Sequence, residues 1–308
     1  MTETPAGTGT ARVHTIDAHM HGKEHNLSCY FLPGERPTLV EPGPESSLDN
    51  VVAGLDRLGV GPADLAWIVV THVHLDHGGG AGKLAARFPN ATVVVHEQGA
   101  RHLHSPDRLV ASATRVYGEE NMAMLWGSMT PVPVERLRSV DEGDTIDLGG
   151  GRVLEVMYTP GHAKHLMCLV DSGTGGVFVG DAVGITLPHS HLVRPTVPPP
   201  DIDPDLIVSQ LERLQRRGVT SINFAHFGID HDVDAMLDQA IRRVRRWDEI
   251  TAEAVADGLD VAGTAVRLAA HSHDDYVAEG YAPDVIAAAE ERTNYEMEAA
   301  GLYRAHTH

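Results

Sequence analysis

Residues 71–80, THVHLDHGGG, place four potential metal ligands within six positions: His72, His74, Asp76 and His77. They follow the short apolar run 65–70, which is bounded by turns and is therefore predicted to be a buried strand. Alternate residues of an extended segment point the same way, so His72 and His74 can converge on one ion. Asp76 and His77 lie beyond the bend and can address a second position. The three glycines that follow are expected to let the backbone turn tightly around this cluster.

Three further candidate ligands follow predicted strands in the second half of the chain. His162 comes after the turn at 159–161, Asp181 after the apolar run 177–180, and His226 after the strand predicted at 221–224. Each alone has an ordinary alternative, such as a helix N-cap for the aspartate. Their shared position at strand ends favours one joint site. Seven nitrogen and oxygen ligands are what two adjacent divalent ions require, with one carboxylate shared.

This order of motifs resembles the metallo-β-lactamase superfamily, whose members share an αββα fold. The resemblance covers roughly residues 13–230 and rests on the HxHxDH motif followed by three ligands at strand ends. It implies two metal ions bridged by Asp181. It assigns the other ligands to two groups: His72, His74 and His162 for the first ion, and Asp76, His77 and His226 for the second. Zinc is the expected metal, and iron and manganese are alternatives that the same ligands accept.

Individual positions narrow the choice among branches of that superfamily. Its β-lactamases carry Cys or Ser at the bridging position, so Asp181 argues against antibiotic cleavage. Flavodiiron proteins carry Glu where His74 stands and need an additional flavodoxin domain. The chain is more similar to glyoxalase II and its relatives, the thioesterases and lactonases. The arginines within 242–246 are expected to form a solvated, acid-paired helix face, so a grip on glutathione is not implied.

The hypothesis is a metal-dependent hydrolase in which a bridging hydroxide cleaves a thioester, lactone or ester. Asp76 is the predicted catalytic residue, because it would both ligate the second metal and orient the hydroxide. Two alternatives stay open. A phosphodiesterase or nuclease on the same metals needs a basic groove, and a mononuclear iron enzyme of the persulfide-dioxygenase type would consume oxygen. A purely structural metal site is disfavoured, because such sites are closed to water.

Loops beside the ligands are expected to contact the substrate. They are the first hairpin, the segment that follows Asp181, and the turn that follows His162. The predicted substrate contacts are five histidines: His21, His25, His165, His189 and His191. A nearby apolar stripe is expected to belong to the core instead, because helical spacing of such residues is typical of core packing: Tyr117, Met122, Met124 and Trp126.

Short apolar runs alternate with helical patterns in both halves of the chain, which predicts an α/β protein with two stacked sheets. The resemblance makes this a four-layer αββα sandwich. Residues 1–11 are predicted to be disordered, 12–232 to form the metallo-β-lactamase-like domain, and 233–308 to form a C-terminal helical extension. One helix of the extension is predicted over 283–300. The extension is expected either to cap the site or to form a homodimer face.

Composition limits the classes of partner. The chain has 308 residues and a net charge of −19, so its surface as a whole repels phosphate backbones, and a small-molecule substrate is expected rather than nucleic acid. Only Cys29 and Cys168 are present, which predicts no disulfide framework and fits a cytoplasmic location. No run of 18 apolar residues occurs, and the N-terminus lacks the order of a signal peptide. Neither a membrane span nor secretion is expected.

Overall fold

The computed structural model describes residues 11–307. The predicted disorder of residues 1–11 therefore falls almost wholly outside the described residues. The strands are β1 His14–Asp17, β2 Ser28–Leu32, β3 Thr38–Val40, β4 Trp67–Val69, β5 Thr92–His96, β6 Leu137–Val140, β7 Thr145–Asp147, β8 Val153–Tyr158, β9 Met167–Asp171, β10 Val177–Phe178, β11 Ile185–Thr186, β12 Val193–Arg194, β13 Ile222–Phe224 and β14 Gly228–Asp230. The helices are α1 Leu48–Arg57, α2 Leu75–Gly78, α3 Ala81–Arg87, α4 Glu97–His104, α5 Asp107–Tyr117, α6 Glu119–Asn121, α7 Pro204–Arg217, α8 Val233–Ala256, α9 Val261–Ala278, α10 Pro283–Glu291 and α11 Tyr295–Thr307.

Two six-stranded sheets form the centre of the molecule. Their strand orders are β1-β2-β3-β4-β5-β6 and β14-β13-β10-β9-β8-β7. In the first sheet β3, β4, β5 and β6 are parallel neighbours, with Leu39 opposite Ile68 and Ile68 opposite Val93. Parallel neighbours need a crossover connection, and α1 and α3 supply two of them. In the second sheet β10 and β13 are parallel, and the remaining pairs are antiparallel. A short β11–β12 hairpin stands apart from both.

Apolar side chains fill the space between the sheets and outside each of them. Tyr30 and Val69 of the first sheet share a buried cluster with Leu154 and Phe178 of the second. A separate cluster joins the other face of the first sheet to α1 and α3. A third joins the other face of the second sheet to α7 and α8. This order of layers is the predicted αββα sandwich.

The C-terminal helices pack on the sandwich through a common core. Helix α8 begins at Val233, and its Leu237 and Trp247 share a buried cluster with Leu211 of α7 and Leu268 of α9. The single helix predicted over 283–300 is wrong, because α10 ends at Glu291 and α11 begins at Tyr295.

The physical reason for that break is a new helix cap. The side-chain oxygen Oδ1 of Asn294 accepts a hydrogen bond from the backbone N–H of Met297, which starts α11 in a new direction. Residues at the corner between the two helices line a cavity at the edge of the sandwich. Within residues 11–307, no helix is both long enough and apolar enough to cross a bilayer.

Candidate metal centre

All seven predicted ligands lie at one edge of the sandwich, where strands of both sheets end. The segment after β4 carries His72, His74, Asp76 and His77, and the turns after β8, β10 and β13 carry the remaining three: His162, Asp181 and His226. Because these strand ends meet at the same edge, Asp76 and His226, which are 150 positions apart in the sequence, become neighbours. The structure brings together every residue of the predicted ligand set.

The first group consists of three imidazoles and one carboxylate oxygen. Nδ1 of His74 lies 3.1 Å from Nε2 of His72 and 3.1 Å from Nε2 of His162. Oδ2 of Asp181 lies 3.4 Å from Nε2 of His162 and 3.9 Å from Nε2 of His72. Four potential ligand atoms therefore converge on one point.

The second group lies on the other side of Asp181. Oδ2 of Asp76 is 3.4 Å from Nε2 of His226 and 3.5 Å from Nε2 of His77. The second oxygen of Asp181, Oδ1, is 3.4 Å from Nε2 of His77 and 3.7 Å from Nε2 of His226. Asp181 thus presents one oxygen to each group, which is the arrangement that a shared carboxylate requires.

Several polar atoms of the cluster lack a hydrogen-bond partner within residues 11–307 and could instead bind a divalent cation. Both ring nitrogens of His77 and Oδ1 of Asp181 are buried without a hydrogen-bond partner among the described residues. Burial, reinforced by neighbouring histidines, lowers the pKa of His72 well below its usual value and that of His74 to about 4. Neutral imidazoles, as in this group, are the form that binds metal, whereas the carboxylates of Asp76 and Asp181 outweigh burial and raise the pKa of His77 and of His226 in the second group. Buried polar groups without a partner are costly. The cluster is suited to divalent metal binding.

The two carboxylates of the cluster are held ionised. Burial by itself would raise the pKa of Asp76, but the attraction of His77 and the hydrogen bond with His226 hold that pKa well below the usual range. The same balance, with His77 again the main opposing charge, lowers the pKa of Asp181. Asp76 keeps 22% of its side chain exposed, whereas Asp181 keeps 6%. Asp76 is therefore the carboxylate that faces the open side of the cluster.

Backbone carbonyls orient two of the histidines. Nδ1 of His162 donates to the carbonyl oxygen of Thr196 at 2.9 Å, and Nδ1 of His226 donates to that of Asn26 at 2.7 Å. Each bond places the ring hydrogen on Nδ1 and leaves the lone pair of Nε2 directed into the cluster.

Glu41, which sequence reasoning missed, lies beneath the cluster. It directly follows β3, its side chain is fully buried, and its backbone adopts the left-handed conformation with φ 63°. Its Oε1 lies 3.3 Å from Nδ1 of His77 and accepts a hydrogen bond from Thr71, whose hydroxyl lies 3.2 Å from Nδ1 of His72. Such a backbone conformation is uncommon for a residue other than glycine. The sequence signal that could have identified Glu41 is its position directly after a strand at the ligand edge.

Glu41→Gln should weaken metal binding by about 10- to 100-fold, because outer partners of this kind orient the ligating imidazoles. The affinity is to be measured by competition with a chromophoric chelator. Glu135→Gln, a surface change of the same chemistry, is the control and should leave the affinity unchanged. Equal affinities for the wild type and Glu41→Gln would contradict the supporting role of Glu41.

The glycines at 78–80 serve packing rather than a left-handed turn. None of the three has a positive φ. A Cβ on Gly79 would lie 2.3 Å from the carbonyl oxygen of Leu75, and one on Gly80 would lie 2.6 Å from the side chain of Leu48. The triplet allows the ligand segment to lie directly against α1 and the loop that precedes it.

A cavity of about 640 Å³ opens above Asp76 and the exposed edge of the cluster. One wall is largely apolar and combines side chains of α5, the segment that follows it and α11: Leu109, Ala113, Tyr117, Trp126 and Met297. The corner between α10 and α11 supplies Glu291, Arg292 and Asn294. The extension therefore supplies part of the cavity wall. Its two expected roles, as a cap of the site and as a dimer face, stay predictions.

The predicted substrate contacts divide into two sets. His21, His25 and His165 line the cavity. His189 and His191 do not, contrary to expectation, because they lie in the turn between β11 and β12, away from the cluster. There Nδ1 of His191 pairs with Asp230 at 2.8 Å.

The structure also places the apolar stripe at 117–126 and the arginines within 242–246. Trp126 belongs to the buried core cluster, as expected, and Tyr117 packs against that cluster. Both side chains also line the cavity, because α5 and the segment 122–126 cover the metal edge. Met122 is buried and Met124 is exposed. The arginines within 242–246 do not line the cavity. They form the expected solvated face only in part, because Arg243 is buried.

An αββα sandwich with two His/Asp groups at its strand-end edge defines the class of metal-dependent hydrolases to which this chain corresponds. The family model described as the metallo-beta-lactamase superfamily matches residues 23–219, and the chain belongs to that superfamily. The glyoxalase II-like branch within it stays a prediction.

Curated relatives and solved structures agree with this assignment. A metallo-beta-lactamase fold-containing protein of Sulfurisphaera tokodaii is 30% identical over 222 residues, covering 70% of this chain and 78% of its own. The N-acyl homoserine lactonase of Bacillus cereus is 24% identical over 234 residues, covering 67% and 81%. The crystal structure of an archaeal superfamily protein from Sulfolobus tokodaii superposes with a TM-score of 0.61 at 26% identity, covering 75% of this chain and 85% of its own.

Proposed function

We propose that this metal-dependent hydrolase binds two divalent ions, zinc by preference, and cleaves an uncharged ester, thioester or lactone that carries an apolar acyl group. The observation that carries the proposal is the cavity, which joins the partly exposed carboxylate of Asp76 to an apolar wall. Relatives named N-acyl homoserine lactonases, at 24 to 30% identity, support an acyl substrate.

The ligand groups assign distinct roles to the chain's own residues. His72, His74 and His162 would hold one ion and Asp76, His77 and His226 the other, with Asp181 shared. When bound, such ions lower the pKa of a coordinated water and polarise a substrate carbonyl. Asp76 lines the cavity, so its carboxylate can accept a hydrogen bond from the attacking water and orient it. The more deeply buried Asp181 maintains the spacing between the two groups.

Charge pairing in the cavity favours an uncharged substrate. Lys23 pairs with Glu291 at 2.9 Å, and Arg194 lies 3.7 Å from Glu298 while donating to a backbone carbonyl. Arg292 donates to a carbonyl of the facing turn. Lys23, Arg194 and Arg292 thus each have an anionic or carbonyl partner, although Nε and Nη1 of Arg194 make no hydrogen bond among residues 11–307. A phosphodiester needs positive charge that is free to receive it. The pairing of these cations therefore favours acyl transfer to water over phosphodiester cleavage.

The experiment is a hydrolysis panel on zinc-loaded protein. It compares acyl lactones and neutral thioesters of increasing chain length with a glutathione thioester and a bis-aryl phosphate, all at equal concentration. We expect kcat/KM to rise by about fourfold for each methylene that the wall buries. A preference for the phosphate, or one bound iron with oxygen consumption, would overturn the proposal.

A pair of variants on α5 separates the cavity wall from the outer surface of the same helix. Ala113 lines the cavity, whereas Ala111 is exposed and does not. Ala113→Gln should remove most of the dependence on chain length while leaving short acyl substrates unaffected. Ala111→Gln should behave as the wild type, since both changes cost the helix little.

A further inference from the structure

His165 is a histidine in the cavity that belongs to neither group of metal ligands. It lies three residues after His162, lines the cavity and is 9% exposed. Its ring centroid lies 5.8 Å from that of His74 and 6.2 Å from that of His72. It therefore stands beside the first ligand group, on the side that a bound substrate would occupy.

A backbone hydrogen bond determines which nitrogen of His165 carries the hydrogen. The N–H of Val73 donates to Nδ1 of His165 at 3.3 Å, so Nδ1 must present a lone pair. In a neutral imidazole the other nitrogen then carries the hydrogen. No hydrogen bond joins Nε2 to another residue within 11–307, and this atom is not among the polar atoms closed off from solvent. His165 thus offers an N–H donor with a fixed tautomer to the cavity.

We propose that His165 is a catalytic residue that donates a hydrogen bond from Nε2 to the carbonyl oxygen of the substrate as negative charge develops there. This inference rests on the proposed function. Val73 belongs to the ligand segment 71–80, so the donor and the metal ligands are held by one stretch of backbone. A donor oriented in advance stabilises the transition state more than the ground state. The neutral ring also avoids placing a second positive charge beside the cations.

Two substitutions separate the contact with Val73 from the contact with the substrate. The side-chain oxygen of Asn can occupy the position of Nδ1 and keep the bond from Val73, but Asn has no group at the position of Nε2. The amide of Gln reaches the position of Nε2 and restores a donor. We expect His165→Asn to lower kcat by about 100-fold with unchanged metal content, and His165→Gln to regain about tenfold.

His96 offers a matched control. Its Nδ1 accepts a hydrogen bond from the backbone N–H of Gln98 at 3.3 Å, in the same way, but it does not line the cavity. His96→Asn should leave kcat unchanged in metal-loaded, folded protein. If His165→Asn kept wild-type turnover while His165→Gln lost it, the role of His165 would be packing against Val73 alone, and the inference would be wrong.

A measurement without turnover tests the donor directly. Nitrogen-15 NMR of the metal-free protein should show His165 with its hydrogen on Nε2, the signal being assigned by its absence in His165→Asn. A hydrogen on Nδ1 would overturn the inference even if the protein were an active hydrolase. Conversely, a wild type that leaves every acyl substrate intact would refute the proposed function, and with it the catalytic role, even with the expected tautomer.

Discussion

Asp181→Asn is expected to lower kcat/KM by at least about 10³-fold and to reduce metal binding in both groups. The reason is geometric, because one oxygen of Asp181 lies within 4 Å of two histidines of the first group and the other oxygen within 4 Å of two histidines of the second. Asn keeps the shape of the side chain but removes the negative charge that both cations would share. The measurement is metal per chain by elemental mass spectrometry together with turnover on the preferred acyl substrate.

The variant Asp76→Asn is the control for Asp181→Asn, because it should affect only the second group. Asp76 contacts histidines of the second group, so its variant should retain about one ion per chain and lose turnover. Circular dichroism of both variants checks that the fold is intact. Wild-type metal content and activity in Asp181→Asn would contradict the assignment of a shared carboxylate.

Arg243→Met is expected to lower the free energy of unfolding by about 2 kcal/mol, because it removes a buried guanidinium that binds two partly exposed carboxylates and a backbone carbonyl. The guanidinium of Arg243 is 4% exposed and bonds to Asp275 at 2.9 Å and to Glu279 at 2.6 Å. It also donates to the carbonyl oxygen of Val193 and lies 4.9 Å from the ring centroid of Tyr276. The network ties α8 to α9 and to β12, and so holds the cap on the sandwich.

The neighbouring arginine provides the control. Arg242 also pairs with Glu279, but its side chain is 51% exposed. Exposed pairs contribute about 0 to 1 kcal/mol, so Arg242→Met should change stability little. Urea denaturation of both variants measures the difference. Equally small effects would show that the buried network does not stabilise the packing of the cap.

Local sequence pattern predicted two stacked sheets and the members of the metal cluster, and the resemblance to the metallo-β-lactamase superfamily implied the four-layer sandwich. The buried run before His72 and the apolar runs before Asp181 and His226 identified strands. Polar residues directly after strands were therefore expected at one edge, and the structure brings them together there. Glu41 follows β3 in the same way, yet a lone carboxylate after a strand has too many ordinary explanations to be selected. Its partners, Thr71 and His77, lie 30 or more positions away.

The cap and the cavity depended on contacts that no local pattern reports. The corner at 292–294 interrupts a stretch with helical composition, and residues of this corner line the cavity beside the metal cluster. Tyr117 and Trp126 have the spacing of core residues, and only the placement of α5 over the site turns them toward the cavity. Packing likewise determines that His165 lines the cavity and His191 does not, although both are histidines that follow a predicted ligand in the sequence.

The sequence alone determined the layers of the fold and which residues form the metal cluster, because hydrophobic periodicity and the strand-end position of ligands are local properties of the chain. Only the tertiary structure shows that the C-terminal helices line the cavity, that Glu41 lies 3.3 Å from His77, and that Lys23 of the cavity wall pairs with Glu291. Those features are contacts between segments distant in sequence. Their geometry follows from how the layers pack, which the order of residues does not display.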